Sequence, residues 1–385
     1  MNILHITTFL QGGAGRIICD LAIEQKKLGH NVYVVTSKTQ ESDYCNYAEY
    51  INRLNNADVI LYEIDSTFKR DLYLNLKVVE KVKEIIINSD IDLIHAHAAI
   101  PALVGLISRQ ASHKYIPVIH SMQGWGTNKT PEQEETDKII MNGLDAIIAS
   151  SQSSFDLMCD KGINKEKIGL IYNGIACTDI SESDKVDDDV REMIKLKHEG
   201  VKTIGCIGTI CKRKNQGLLL EAFKEVVKAE DAICVFVGEG ELVHELMQKA
   251  NEYGIADRVR FWGYKENSYQ FYKYFYCVVL PSLSEGQPIT TVECFREKVL
   301  FIGSDIPSIT ELIKHGETGF LFKSNNPASL AGVIKQVLSL TDDESAVIAE
   351  KAYDFYSSSF TLNAMLDNYM RLYEALILKG KGLHK

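Results

Sequence analysis

"NILHITTFLQGGAGRIICDLAIEQKKLG", residues 2–29, is the stretch on which the fold turns. The apolar run "NILHIT" (2–7) is short enough for a buried strand, "FLQGGAG" (9–15) supplies small residues, and "RIICDLAIEQKKLG" (16–29) carries apolar residues at helical spacing. Strand, glycine loop and helix in that order open a parallel sheet covered by helices. The alternation continues outward: strands at "HNVYVVTS" (30–37), "IDLIHAHA" (91–98), "YIPVIHSM" (115–122), "LDAIIASS" (144–151) and "KIGLIYNG" (167–174), with helices at "LNLKVVEKVKEIIINS" (74–89) and "IPALVGLISRQAS" (100–112). Most of these strands are apolar on both faces, as strands buried between two helix layers must be.

The acidic stretch "SESDKVDDDVREMIKLKHEG" (181–200) interrupts this pattern, which then restarts at "VKTIGCIGTICKRKNQGLLLEAFKEVV" (201–227) and runs through "AICVFVGEG", "RVRFWGY", "YCVVLPS" and "VLFIGSD". The expected architecture is α/β, two facing Rossmann-like doubly wound domains with an interdomain cleft. The first spans 1–178, a linker 179–199 and the second 200–359, with a C-terminal helix over about 360–385 packing back on the first. Ligands of such sheets lie at the carboxyl ends of the strands, so the strand-end loops are where chemistry is sought.

A length of 385 residues with 45% apolar content exceeds one ordinary core, which agrees with two domains. The net charge of −10 removes the footprint of a general nucleic-acid binder. Nine scattered cysteines without a CxxC pair predict a reduced, cytoplasmic chain with no zinc cluster. The N-terminal run reads as a strand rather than a leader. No apolar run reaches the roughly 18 residues that would span a bilayer, so any membrane contact is expected at its inner face and peripheral.

Three loops carry candidate chemistry. Gly12, Gly13, Ala14 and Gly15 follow the first strand, where a backbone can approach an anion; a plain tight turn is the competing reading. After Gly208 three cations, Lys212, Arg213 and Lys214, precede Asn215, an expected helix cap, and suit a diphosphate; some of the three are expected to be solvated surface charges. In "LPSLSEGQPITTVECFREKVL" (280–300) a helix is predicted to begin near Pro288, leaving Glu285 in the loop and Glu293 inside the helix. The two carboxylates then reach different parts of one extended ligand rather than forming an acid and base pair, and no His or Asp stands at metal-ligand spacing beside them.

"SLSEGQPITTVE", with seven residues between its glutamates, resembles the signature of retaining, nucleotide-sugar-dependent glycosyltransferases of the two-Rossmann-domain GT-B class, the sucrose-synthase-like family four. Fragments across nearly the whole chain follow that family's order, among them "VIHSMQG", "IYNGI", "IGTICKRKNQGLLLEAF", "VGEGEL" and "ITELIKHGETGFLF". The resemblance implies sugar transfer from a nucleoside diphosphate sugar, a UDP-sugar above all, to a hydroxyl on a glycan, lipid-linked or small-molecule acceptor, without metal or other cofactor. Its implied setting is cell-surface glycan, glycoconjugate or secondary-metabolite synthesis. It implies that Glu293 binds the ribose, that Glu285 holds hydroxyls of the donor sugar, and that Lys214 meets the diphosphate with the backbone amides of Gln287, Ile289 and Thr290. Gly12 and Gly13 approach the same diphosphate, and His120 stands beside the reacting carbon. Asn173 lines the cleft, while Glu239 and the segment of Tyr264 lie near the nucleotide.

One position departs from the family pattern: Thr209 stands where an arginine is usual. Lys does not reproduce a planar bidentate cation, so Arg213 is expected to make the missing phosphate contact, with Lys212 as the alternative. For His95 and His97 the structural reading is stronger than contact with an acceptor; Trp125 and "TNKTPEQEETDK" (127–138) fall where acceptor loops are expected. The competing functions are an epimerase or hydrolase of nucleotide sugars with the same fold, and a non-catalytic sugar-nucleotide-binding protein.

Overall fold

The computed structural model describes every residue except 42–43, 127–128, 178–187, 267 and 383–385. Among these, seven strands build one parallel sheet and six a second, and the chain divides into two units, Met1–Gly174 with Leu362–Lys385, and Ile175–Thr361. Part of the expected linker, 178–187, lies outside the described residues.

The first unit has strands β1 (Asn2–Ile6), β2 (Asn31–Ser37), β3 (Ile60–Ile64), β4 (Leu93–Ala96), β5 (Val118–Met122), β6 (Ala146–Ala149) and β7 (Ile168–Leu170), ordered β3-β2-β1-β4-β5-β6-β7. All pairs are parallel, and β4, β5 and β6 are buried along their whole length. Val78, Val82 and Ile86 of the helix Leu72–Asn88 join Leu4, Ile6 and Ile94 in one core, while Ile18, Ala22 and Leu54 pack with Val32 and Val34 in another. The register sets His5 beside His95 and Ala96 beside His120. Because strand side chains alternate with period two, "HAH" puts His95 and His97 on the face that His5 also uses. From the C-terminal helix Leu362–Gly382, Tyr369 and Tyr373 close over that face.

The second unit repeats the order: β8 (Lys202–Ile207), β9 (Ala232–Val237), β10 (Val259–Phe261), β11 (Cys277–Leu280), β12 (Leu300–Ser304) and β13 (Phe320–Phe322) run as β10-β9-β8-β11-β12-β13. Its core joins Ile204, Cys206, Phe236, Val279 and Ile302 to Leu219, Phe223, Ile334 and Val337 of the covering helices. Among the described residues no helix is long and apolar enough to cross a membrane.

Several local expectations are corrected. The helix after β1 begins at Gly12 itself, so the glycine run forms its first turn instead of a free loop. Gly12 has φ +54°, and a Cβ on Gly15 would lie 2.6 Å from the carbonyl carbon of Leu10, so the tight junction demands both glycines. Asn215 occupies the N-cap position in a left-handed conformation and makes no capping bond. Residues read as a connection contain the helix Asp188–His198, which buries Val190, Met193 and Leu196 at helical spacing. The polar stretch after Trp125 is largely the helix Pro131–Asn142, opened by a capping box between Thr130 and Gln133.

Candidate functional site

Both sheets reverse their direction of growth next to their first strand, between β1 and β4 in one and between β8 and β11 in the other. The crevice outside such a reversal is where open α/β sheets bind ligands.

In the second unit that crevice is bounded by the loops after β8 and β11, tied together by the amide of Leu283 donating to the carbonyl of Arg213 at 2.9 Å. Lys214 Nζ lies 2.7 Å from Glu285 Oε1, and Arg213 Nη1 lies 2.9 Å from Oε2. Arg213 also donates to the carbonyl of Ser284 at 2.8 Å, which fixes the direction of its guanidinium. The Glu285 side chain is 7% exposed, a burial that by itself disfavours ionisation. The attraction of Lys214 and Arg213 outweighs burial and holds the carboxyl below its usual range. Two cations against one carboxylate leave the cluster positive, as a diphosphate requires.

Glu293 sits in the helix Ile289–Arg296 and accepts a hydrogen bond from the Tyr272 hydroxyl at 2.6 Å. Burial and the neighbouring Glu293 push the Tyr272 hydroxyl far above the ordinary tyrosine range, so it stays a donor. Ile289 and Thr290 lie in the first turn of that helix, and Gln287 is buried just before it. Thr209 is exposed, and its carbonyl accepts from the Gln216 amide at 2.9 Å. Glu239 is exposed beside it, with its carbonyl accepting from the amide of Ile210 at 2.8 Å. This approach of two loops is possible because Gly238 lacks a side chain: a Cβ there would lie 2.2 Å from the carbonyl oxygen of Gly208. The amide of Gly238 donates to Gly263 at 2.8 Å, which brings the segment of Tyr264, 44% exposed, to the same sheet edge.

In the first unit a pocket of about 270 Å³ opens at the ends of β1, β4 and β5, and His97, His120 and Trp125 line it together. His120 donates from Nδ1 to the carbonyl of Ala96 at 3.3 Å, since a carbonyl only accepts. Burial lowers its pKa to about 4, so the ring is neutral. Gln123, also in the wall, exchanges hydrogen bonds with Asn173, whose Nδ2 donates at 2.9 Å. Trp125 is anchored by its indole N–H on Glu134 at 3.0 Å, with Lys129 Nζ 4.2 Å from the ring centre. Gly12 contributes a carbonyl that accepts from the Tyr50 hydroxyl at 3.0 Å, and Gly13 follows it in the helix.

His5, His95 and His97 place ring nitrogens within 4.8 Å of one another, a spacing that a metal ion uses. Five of their six nitrogens, however, are taken by protein partners: His5 by His97 and Gln25, His95 by Tyr373 and Ser121, with Nδ1 of His97 left over. The set fits hydrogen-bonded neutral imidazoles better than a coordination shell, and burial pushes all three pKa values down. His95, wholly buried, is thus a structural residue, whereas His97 belongs to the pocket wall.

The structure therefore groups Glu285, Lys214 and Arg213 in one cluster, and His97, His120 and Trp125 in another. Sequence reasoning missed Tyr272, His5, Gln25 and Arg70, which are joined to the sites through contacts twenty or more residues away in sequence, and did not single out Lys129 and Asp137 within the polar stretch 127–138. The tyrosine pair Tyr369 and Tyr373, four apart on the last helix, is the one missed feature with a visible sequence signal.

Two family models match the chain, one described as Glycosyltransferase Family 4 over residues 11–179 and one as Glycosyl transferases group 1 over residues 189–355. Similar proteins include N-acetyl-alpha-D-glucosaminyl L-malate synthase of Bacillus anthracis, 24% identical, with 96% of each chain covered. Alpha-monoglucosyldiacylglycerol synthase of Streptococcus pneumoniae is 25% identical over 90% of this chain and 80% of its own. Among solved structures, a glycosyltransferase from Rickettsia africae matches with a TM-score of 0.82 at 19% identity, covering 98% of both chains. The Anabaena protein HepE, solved in complex with UDP-glucose, matches with a TM-score of 0.81 at 21% identity, over 97% of this chain and 100% of its own.

Proposed function

The chain belongs to the glycosyltransferases of family 4 and group 1, with the two Rossmann-like domains of the GT-B fold, and from that premise we propose that it transfers a sugar from a nucleoside diphosphate sugar to a hydroxyl with retention of configuration and without a metal ion. The observation that carries this reading is Glu285 held between Lys214 and Arg213 at the strand reversal of the second sheet. UDP is the favoured nucleotide, supported by the UDP-glucose complex of the HepE neighbour. Cell-surface glycan or glycoconjugate synthesis is the favoured setting, and relatives named for a malate and a diacylglycerol product keep small-molecule and lipid acceptors in view.

In the proposed reaction the bond from the anomeric carbon to the diphosphate oxygen breaks, and the acceptor oxygen bonds the same carbon on the same face. The acceptor's proton passes to the departing phosphate oxygen. Negative charge grows on that phosphate, where Lys214, Arg213 and the amides at Gln287, Ile289 and Thr290 stabilise it. Arg213 thereby takes the role that Thr209 cannot. Glu285 spaces the two cations and accepts from the sugar's hydroxyls, Glu293 meets the ribose, and Glu239 and the backbone near Tyr264 meet the base. His120, neutral, lies at the sugar, with Gly12, Gly13 and Asn173 lining its approach.

Incubating the protein with UDP-glucose, UDP-N-acetylglucosamine or GDP-mannose and a chelator, and following nucleoside diphosphate release, tests this. Slow release without acceptor, accelerated by a hydroxyl acceptor, is expected. Rapid and complete conversion of donor alone would replace transfer by hydrolysis or epimerisation, and binding without turnover would leave a binding protein.

A further inference from the structure

The first unit's pocket carries an uncompensated charge. Asp137, with its side chain 1% exposed, is the single carboxylate among the described lining residues, and it faces Arg70 Nη2 at 2.6 Å and Lys129 Nζ at 2.8 Å. The nearby acid Glu134 is already engaged by Lys161 at 2.9 Å and by the indole of Trp125. One net positive charge therefore remains in a partly enclosed space, where water screens it weakly.

His97, in the pocket wall, also carries a buried acceptor left without a partner among the described residues. Gln25 offers its carbonyl oxygen to Nε2 of His5 at 2.8 Å, so that nitrogen carries the proton. Nδ1 of His5 is then bare and accepts, at 3.0 Å, from Nε2 of His97. With its proton on Nε2, the neutral ring of His97 keeps an unused lone pair on Nδ1, which has no partner among the described residues. A chain of three buried side chains thus sets the tautomer of one pocket residue.

We propose that this pocket binds a small hydroxylated oxyanion, a carboxylate or phosphate ester, whose charge is met by Lys129 and Arg70 and one of whose hydroxyls donates to Nδ1 of His97. The proposal deepens the glycosyltransfer reading, in which this molecule is the acceptor, and rests on it for that role. Phe68, Ile100 and Trp125 supply the apolar part of the wall, which limits the ligand to a short carbon stem. Gln25 and His5 are positioning residues, acting through His97.

The chain has two tryptophans, so Trp262→Phe leaves Trp125 as the only one and its fluorescence as a reporter of the pocket. Titration with glycerol 3-phosphate is expected to give a saturable change that glycerol does not. Lys129→Met should weaken that binding by about tenfold, the loss of one charge-assisted contact, and Lys129→Arg should restore most of it. His97→Phe should weaken glycerol 3-phosphate while leaving inorganic phosphate as it was, because phosphate lacks the carbon-borne hydroxyl. Equal response to glycerol, no response to either anion, or indifference to Lys129→Met would overturn the proposal. Acceptor-free release of UDP from UDP-glucose by the parent protein reports on the donor reading separately, so the two can fail independently.

Discussion

After β8 and β11 the second unit sets one carboxylate between two cations, whereas after β1 and β4 the first unit sets imidazoles that burial keeps neutral. The strand order that produces the two crevices is the same. Topology thus decides where a ligand can sit, and the loop residues decide what charge it must bring. A net positive crevice suits a diphosphate leaving group. The imidazoles add no charge of their own, and the positive charge in their pocket comes instead from Arg70 and Lys129, which share the single carboxylate of Asp137.

The strongest way to break this contrast is to remove its charged centre. Glu285→Ala is expected to lower transfer by about 10²- to 10³-fold, a loss typical of a group that positions transition-state donors. UDP affinity should stay within a few fold, because Lys214 and Arg213 are freed rather than lost. Rates with a UDP-sugar donor and calorimetric titration of UDP check the two halves, and unchanged transfer would remove Glu285 from the site.

Acid should separate the units next. Burial takes His5 and His120 from the ordinary 6.5 to about 4, so between those values the unfolded chain binds protons that the folded chain refuses. Stability is undiminished above pH 6.5 and declines as pH falls toward 4, by roughly 3 kcal/mol for each such histidine at the acid end. The second unit's His198, His244 and His315 are exposed rather than buried. Hydrogen exchange on the whole chain should therefore show β1, β4 and β5 losing protection at a higher pH than β8 and β11; simultaneous loss would contradict the contrast.

A smaller effect sharpens it. Tyr272→Phe removes the donor to Glu293 and leaves a buried carboxylate with one partner fewer, at a cost of about 1–2 kcal/mol. A lowered melting temperature with a donor KM raised a few fold is expected, and kcat should change less than KM.

The contrast was partly legible in the sequence. Strands buried on both faces read as apolar runs, which is why β1, β2, β4 and β8 were visible. β3 lies at the sheet edge with Ile60 and Glu63 exposed, so "ILYEI" gave neither a full run nor a clean alternation, and the helix Ala48–Asn56 beside it also passed unnoticed. Glu285, Lys214 and Arg213 were nominated separately from their loops, but their pairing spans about seventy residues of chain and is set by the β8–β11 register. Gln25, His5 and His97 form a chain through space that no local pattern announces. Cap chemistry misled at Asn215, whose backbone is left-handed and whose side chain makes no cap bond.

The most direct test of the central claim, that the second unit's crevice holds a nucleoside diphosphate with its own cations, is calorimetric titration of UDP into chelator-treated protein, parent against Lys214→Ala. Binding that survives the chelator and weakens by about tenfold or more in the variant is the predicted result. Binding that needs an added divalent ion, or that ignores the loss of Lys214, would contradict it.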